Sequence, residues 1–359
     1  MPNSPRTSED PAMNMPAPEP PATTAPAAPR PRHLAHVLWF PLFFVAAFAT
    51  MALTSFTHPS PHHVSLGVAG TARQVAAVER TLDQAEPGGF DVRQVADAGA
   101  GRAEVARGDL AAVYVPDGGA DGSELLVSSA SGSTRATYLT HAAAPRLDAA
   151  TVHDVRHTAS GDVSGTGLFF AGMPLALVGM ITSIVLLQSG PASPRRRLGV
   201  IAATGAFGSL FVHLLATGLD VLPGGHPLLL LYGFLFTQAI GWLTTAAALV
   251  ARKHLLPIAM TFVLILGVPT SGGTVSGDML PGFGRALHTV LPFARFLDLT
   301  RAEAYFGGHG ALAPLLALLG WAAAGAGALL GAELWTRGSA RPKPDKALPP
   351  AKTPDSLPA

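Results

Sequence analysis

Apolar positions in this chain form long runs on either side of one mixed stretch. The runs cover residues 34–56, 167–188, 198–219, 227–250, 255–270 and 311–335. At 1.5 Å per residue, all but one can cross a hydrocarbon core about 30 Å thick. The exception, 255–270, would span only about 24 Å and would need a thinned bilayer or help from its flanking residues. The pattern predicts an α-helical polytopic membrane protein with about six transmembrane helices.

The first run also admits a second interpretation, a cleaved signal peptide. Its apolar core exceeds the roughly 7 to 15 residues of a signal core, and the leader before it is long and rich in proline. We therefore predict a transmembrane helix at 33–56. The two ends, 1–32 and 337–359, are dominated by Pro, Ala, Ser and Thr and are predicted to be disordered tails, because such composition buries little apolar area.

Basic residues near the ends of the runs fall on one side of the predicted topology. They are Arg30, Arg32, Arg195, Arg196, Arg197, Arg252, Lys253, Arg337, Arg341, Lys343 and Lys346. The positive-inside rule makes that side cytoplasmic, so both chain ends are predicted to be cytoplasmic. This orientation requires residues 255–270 to cross the membrane.

The mixed stretch, residues 57–165, alternates between strand and helix patterns. Strands are predicted at 64–69, 90–95, 110–115 and 124–128, with helices at 71–84, through Glu104 to near Gly108, and over most of 133–157. This order is typical of a small α/β domain. Its position after the first helix makes it extracytoplasmic. The remainder, 166–336, is predicted to be a five-helix membrane domain.

Composition excludes several classes of function. Hydrophobic residues make up 48% of the chain and charged residues 13%, and the net charge of +1 argues against nucleic-acid binding. The absence of cysteine excludes disulfides, thiolate metal sites and cysteine nucleophiles. The heavy use of Ala, Gly, Pro and Arg over Lys is what a GC-rich genome produces. We therefore expect a bacterial cell (plasma) membrane as the location.

Candidate chemistry is sparse. The histidines near the mixed stretch, His58, His62, His63, His141, His153 and His157, could bind a metal, but none has a recognised ligand spacing, and exposed histidines explain them more simply. No G-x-S-x-G elbow or G-x-x-x-x-G-K-[ST] phosphate loop occurs. Within the apolar runs the main polar candidates are His213 and Gln238, which fit helix–helix hydrogen bonding at least as well as transport chemistry. No catalytic residue, metal or cofactor is predicted.

The most specific stretch lies between the last two apolar runs. In order along the chain it contains Pro269, Ser271, Gly272, Gly273, Leu280, Pro281, Leu291, Pro292, Arg301, Tyr305, Gly307 and Gly308. Pro269 and the two glycines would end the preceding helix, and 283–288 and 293–306 could then form short helices. Residues 271–310 are thus predicted to be a re-entrant or interfacial segment, which needs protein or a water-filled cavity around it.

With these residues the chain resembles the ABC-2 type permeases, most closely their YhgE/Pip-like (phage infection protein) branch. The stretch from Arg107 to Pro116 also resembles a strand of that family's outer domain. The resemblance covers about residues 34–335. It implies a transmembrane subunit that works as a homo- or heterodimer and is driven by a separate nucleotide-binding ATPase subunit.

The resemblance also suggests roles for named residues. A gating function in the re-entrant motif would fall on Pro269, Ser271, Gly272, Gly273, Pro281, Pro292, Arg301, Gly307 and Gly308. Cytoplasmic contact, with a partner or with membrane lipids, would fall on Arg195, Arg196, Arg197, Arg252 and Lys253. The loop 189–197 departs from the family expectation, because it is short and contains two prolines, leaving little room for a coupling helix.

Two functions from different classes remain open. The first is an exporter permease for a hydrophobic or amphipathic compound or a surface polymer. The second is a non-transporting scaffold or receptor whose outer domain binds cell-wall, phage or secretion partners. The missing ATPase motif and the short inner loop favour the second, whereas the layout of spans and the glycine–proline motif favour the first.

Overall fold

The computed structural model describes residues 31–57, 59–118, 122–190, 193–251 and 254–339. Most of the two predicted tails lies outside these residues. Where they overlap, the prediction was wrong: helix α1 (Pro31–Phe56) begins within the first tail, and helix α12 (Leu312–Ser339) ends within the second. Elements are numbered in chain order.

The mixed stretch folds into helices and strands that alternate along the chain. Its helices are α2 (Ala72–Ala85), α3 (Ala98–Arg107), α4 (Ser133–Tyr138) and α5 (Ala144–Arg146). Its strands are β1 (Val64–Val68), β2 (Phe90–Gln94), β3 (Ala112–Val115), β4 (Glu124–Val127) and β5 (Thr151–Asp154). The first four strands lie at the positions that the sequence pattern predicts.

These strands form one mixed sheet in the order β2-β1-β3-β4-β5. Strand β1 runs parallel to both β2 and β3, whereas β3 and β4 are antiparallel and β4 and β5 parallel. Local signals set the helix ends: Thr71 and Gln74 form a capping box before α2, and Gly108 ends α3 in the left-handed conformation, which glycine adopts without steric cost. We call this part of the chain the sheet domain.

The helix predicted over most of 133–157 is present from Ser133 to Arg146, but the prediction was wrong for the residues after it. Helix α4 continues through a π-helical turn, Leu139–Ala143, into α5, and the helical path ends before Asp148, whose φ is +52°. Residues Thr151–Asp154 instead form β5 beside β4. Pairing with β5 satisfies backbone groups of β4 that a helix would have left unbonded, and such unsatisfied groups are costly when buried.

The rest of the chain is helical: α6 (Gly167–Gln188), α7 (Pro194–Gly218), α8 (Leu228–Val250), α9 (Leu255–Met260), α10 (Gly282–Val290) and α11 (Pro292–Phe306) precede α12. Five of the described helices are long and apolar enough to cross a membrane, namely α1, α6, α7, α8 and α12. The chain is therefore a polytopic helical membrane protein. The predicted span at 255–270 consists instead of α9 and a π-helical turn, Thr261–Gly267, and is shorter than the others.

Contacts between the helices fix their directions. Thr237 of α8 donates to the carbonyl of Leu175 and Ser183 of α6 donates to that of Gly241, so α6 and α8 run parallel. Ser209 donates to Leu230 O at 2.5 Å, while Gln238 donates to Ile201 O, so α7 is antiparallel to α8.

The last helix also runs parallel to α8. Gly325 of α12 lies against Ala239, Trp242 and Leu243, and further along both helices Leu329 packs with Ala246 and Leu249. The chain divides into two structural units at Leu42–Phe43, within α1, and these relations hold inside the second unit.

Candidate functional site

Residues 268–310, which we call the joint segment, belong to two hydrophobic cores at once. Near its start, Val275, Met279 and Leu280 are buried in the core of the sheet domain. Further on, Phe293, Phe296 and Leu297 are buried in the core of the helical bundle. The segment therefore connects the sheet domain to the helices by packing on both sides.

Polar contacts strengthen the attachment to the sheet domain. Thr134 donates to the carbonyl of Thr274 at 2.5 Å. The backbone N–H of His62 donates to the carbonyl of Asp278 at 2.9 Å. Arg135 forms an ion pair with Asp278, and both side chains are mostly shielded from solvent. A Cβ on Gly132 would lie only 2.0 Å from Ser276 Oγ, so the two backbones approach closely there.

Helices α10 and α11 form a hairpin that reaches into the bundle. Phe296 stacks on Phe236 with ring centroids 4.6 Å apart, and Trp321 Nε1 donates to the carbonyl of Val290 at 2.6 Å. At 1.5 Å per residue, Phe236 lies about 12 Å from the N-terminal end of α8, and Trp321 lies about 14 Å from the N-terminal end of α12. The turn of the hairpin, around Leu291 and Pro292, is buried at that depth.

Four charged or titratable side chains meet within this hairpin. Asp298 lies 2.7 Å from Arg295, 3.3 Å from His288 Nε2 and 3.7 Å from Arg301. Arg301 also donates to the carbonyl of Gly272 at 3.0 Å. The carboxylate thus balances two guanidinium groups inside the joint segment. We call these four residues the Asp298 network.

Two glycines in the loop before α10 make room for this network. A Cβ on Gly272 or on Gly277 would lie within about 2.5 Å of the His288 ring. Gly272 also has a φ of +77°, which disfavours any other residue. His288 Nδ1 in turn lies 3.0 Å from the carbonyl oxygen of Thr270, which fixes the ring against the loop.

The structure places the predicted motif residues at turns and helix ends. Pro281 precedes α10, Pro292 begins α11, and Gly307 ends α11 in the left-handed conformation, followed by Gly308, which also has positive φ. Pro269 and Ser271 lie in the buried turn before Gly272, and Gly273 packs against Phe169. Of the predicted set, Gly272 and Arg301 come together directly, and the others shape the path of the chain around them.

Sequence reasoning did not single out His288, Arg295 or Asp298. The spacing of Arg295, Asp298 and Arg301 by three residues on a helix was an available signal, because such positions lie on one face. The contribution of His288 could not be read in this way, since it comes from another helix.

A second feature is a groove between α6 and α7, at the ends that lie next to the sheet domain. Its volume is about 660 Å³, within the range of small-molecule sites. Its walls are almost entirely apolar, and the loop 161–166 closes its head with polar groups. The lining includes Phe170, Pro174, Phe207, Gly208, Phe211 and Leu215.

Asp162 lies at the head of this groove and caps the start of α6. Its Oδ1 accepts a hydrogen bond from the backbone N–H of Thr166 at 3.0 Å. Burial raises the pKa of Asp162, and the backbone hydrogen bonds only partly oppose this effect. The carboxylate is therefore held at an energetic cost where apolar walls meet the loop.

The predicted cytoplasmic contact residues lie at the opposite end of α7. Arg195, Arg196 and Arg197 form its first turn, whereas Arg252 and Lys253 lie outside the described residues. In the sheet domain, His63, His153 and His157 each approach a single carboxylate. Among the residues that the structure describes, no three potential metal ligands come together.

In comparisons with known proteins, no family model, curated protein or solved structure matches this chain.

Proposed function

We propose that this chain is the membrane subunit of an ABC-2 type exporter, related to the YhgE/Pip-like branch, that moves a hydrophobic or amphipathic compound. The observation that carries this proposal is the groove between α6 and α7. A cargo with an apolar body would lie against the phenylalanines of the groove, and a polar head would reach the loop 161–166. A dimer and a separate ATPase subunit are part of the proposal.

In the proposed topology the sheet domain is extracytoplasmic and the membrane is crossed six times. Helices α8 and α12 run parallel, so the chain between them must return to the end at which α8 began. Residues 251–311 make that return through α9, the π-helical turn and the joint segment. If α8 and α12 both cross the bilayer, this connection crosses it as well, although α9 is short.

The joint segment would then transmit movement between the sheet domain and the helices. Its residues are buried in both cores, and the Asp298 network holds its loop against its hairpin. A rigid connection of this kind fits a mechanical joint better than a gate, because opening it would expose paired charges.

Filling the groove tests the proposed path. In Gly208→Phe the added ring has space in the groove, because a Cβ there meets neighbours only at 3.5 Å or more. Export of three fluorescent probes would be measured in cells, namely octadecyl rhodamine, a nitrobenzoxadiazole-labelled dodecanoic acid and the same dye on phosphatidylcholine. We expect export of at least one probe by the unmodified protein and a loss of most of it in Gly208→Phe.

The matched control is Gly320→Phe, because Gly320 lies on the exposed side of α12 with nothing within 4 Å of a Cβ. It should leave export unchanged. Equal export by Gly208→Phe and the control would contradict a path through this groove.

The partner is tested by purification from the native membrane in mild detergent, followed by mass spectrometry and an ATP hydrolysis assay. A co-purifying nucleotide-binding subunit with vanadate-sensitive turnover would support the exporter. Cell-wall or secretion proteins in place of an ATPase would instead favour a scaffold whose sheet domain binds them.

A further inference from the structure

The first turn of α7 carries positive charge that the structure leaves unbalanced. Arg195, Arg196 and Arg197 follow one another, and the first turn contains no acidic residue. None of the three takes part in an ion pair among the described residues, and Arg197 Nε is buried without a hydrogen-bond partner there. Because a helix N-terminus is itself the positive end of the helix dipole, cations at this position are unfavourable unless an anion is near.

Next to these arginines a second groove opens between α6 and α7, at the ends away from the sheet domain. Its volume is about 390 Å³ and its lining is mostly apolar, with Ile181, Val185, Leu186 and Val200 along the walls and Arg196 at the mouth. Thr182 and Thr204 also line it, but their hydroxyls bond to each other at 3.2 Å. The walls therefore suit an alkyl chain, and the mouth suits an anion.

From this juxtaposition we propose that the groove binds one anionic phospholipid. One acyl chain lies between α6 and α7, and the phosphate lies against Arg196 and its neighbours. Guanidinium groups bind phosphate through paired, charge-assisted hydrogen bonds. In a zwitterionic headgroup the attached ammonium offsets the charge of the phosphate, so a headgroup with net negative charge is favoured.

The chemistry of the surroundings favours this occupant over an acidic protein segment. An extended protein segment would leave backbone polar groups unsatisfied in an apolar groove, which is costly. An acyl chain has none. Basic residues at the end of a membrane helix also mark the leaflet that is rich in anionic lipid. The inference goes beyond export, since a bound lipid would orient and brace the α6–α7 pair whatever the chain transports.

Native mass spectrometry of the full chain tests the site. Protein would be released from nanodiscs containing equal parts of phosphatidylglycerol and phosphatidylcholine, and the lipids retained on each chain would be counted. We expect one phosphatidylglycerol to be retained preferentially. Arg196→Gln should reduce this retention about fivefold, the effect of about 1 kcal/mol from one arginine near a charged surface.

The apolar half of the site is tested separately by Ile181→Trp, which fills the groove and leaves the arginines in place. It should lower retention of phosphatidylglycerol to the background level. Leu214→Trp, at an exposed position of α7 outside both grooves, should not. Thermal unfolding in detergent checks that each variant is folded.

Three outcomes would overturn the proposal. The first is equal retention of phosphatidylcholine and phosphatidylglycerol. The second is unchanged retention in both Arg196→Gln and Ile181→Trp, with both proteins folded. The third is displacement of phosphatidylglycerol by glycerol phosphate at millimolar concentration, which would show that the charge alone is recognised and the groove is not used.

Discussion

Helices α8 and α7 lie side by side, yet α8 is mostly buried in the protein and α7 is mostly exposed at its surface. In α8, 61% of the apolar window is buried inside the protein, against 22% in α7, although α8 has the lowest mean hydropathy of the five long helices. Its interfaces contain Gly233, Gly241, Thr237 and Thr245, all buried. The outer face of α7 instead exposes Phe207, Phe211 and Leu214.

The difference shows that hydropathy does not rank helices by burial in a membrane protein. Lipid is as apolar as leucine, so large apolar side chains gain little by leaving it. Small residues and hydroxyls are favoured between helices, because they let backbones approach and bond to carbonyls, as Ser183 does with Gly241. The buried side of the bundle is therefore fixed by close contacts, and the grooves lie on the side of α7.

The close packing of α8 is tested most directly by Gly179→Leu, where α6 crosses α8. A Cβ on Gly179 would lie 2.7 Å from the carbonyl oxygen of Thr237, and backbone cannot move aside as a side chain can. We expect the largest effect here, a loss of about 3 kcal/mol or more of unfolding free energy and little folded protein in the membrane. Abundance and resistance to unfolding in detergent would measure it.

Gly327→Leu serves as the control, because a Cβ on Gly327 of α12 meets nothing within 4 Å. Equal stability of the two variants would mean that α6 and α8 are not in close contact.

A second change tests whether charge pairing also stabilises the buried side. Asp298→Asn keeps the shape of the side chain but leaves Arg295 and Arg301 without their carboxylate. Removing one partner of a buried ion pair typically costs about 3 kcal/mol. The variant should unfold at a clearly lower temperature, and the loop 268–281 of the joint segment should become more accessible to protease.

The control here is Asp91→Asn, which breaks the exposed pair with His63 and should cost less than about 0.5 kcal/mol. A loss of similar size in both variants would contradict a special role for the Asp298 network.

The smallest expected effect concerns Asp162, at the head of the groove on the α7 side. Because the pKa of Asp162 is raised in the folded protein, the folded state binds a proton more tightly than the unfolded one. Its contribution to stability is therefore present below the ordinary pKa of 3.8 and is lost as the pH rises through the raised value.

Asp162→Asn removes this titration and keeps the acceptor for Thr166. At pH 7 the variant should be slightly more stable than the unmodified protein, and the difference should shrink as the pH falls toward 4. Thermal unfolding of both proteins at several pH values would measure it. A difference that does not change with pH would show that burial of the carboxylate has no energetic cost.

Local patterns predicted much of the fold. The positions of β1 to β4, of α2 and of the five long helices follow from period, length and end signals that act over a few residues. The sequence also predicted the short helices α10 and α11, because proline and glycine mark their ends. The helix predicted over most of 133–157 was wrong only in its second part, where pairing with β4 overrode the local pattern.

The candidate site was predicted only in part. Gly272 and Arg301 were singled out by their resemblance to a motif, and the structure joins them through one hydrogen bond. His288 and Asp298 were missed, since neither has a local pattern that marks it. Neither groove could be predicted, because each forms only where the side chains of α6 and α7 pack against one another.

Local sequence patterns are enough to identify a multi-pass helical protein with a mixed α/β stretch after its first helix. Apolar length and periodicity are properties of neighbouring residues, so they can be read without a fold. The folded structure was needed to show that α8 and α12 run parallel, that the joint segment packs in two cores, and that charged side chains from two helices meet at Asp298. These features depend on which distant residues come into contact, and that is settled by packing.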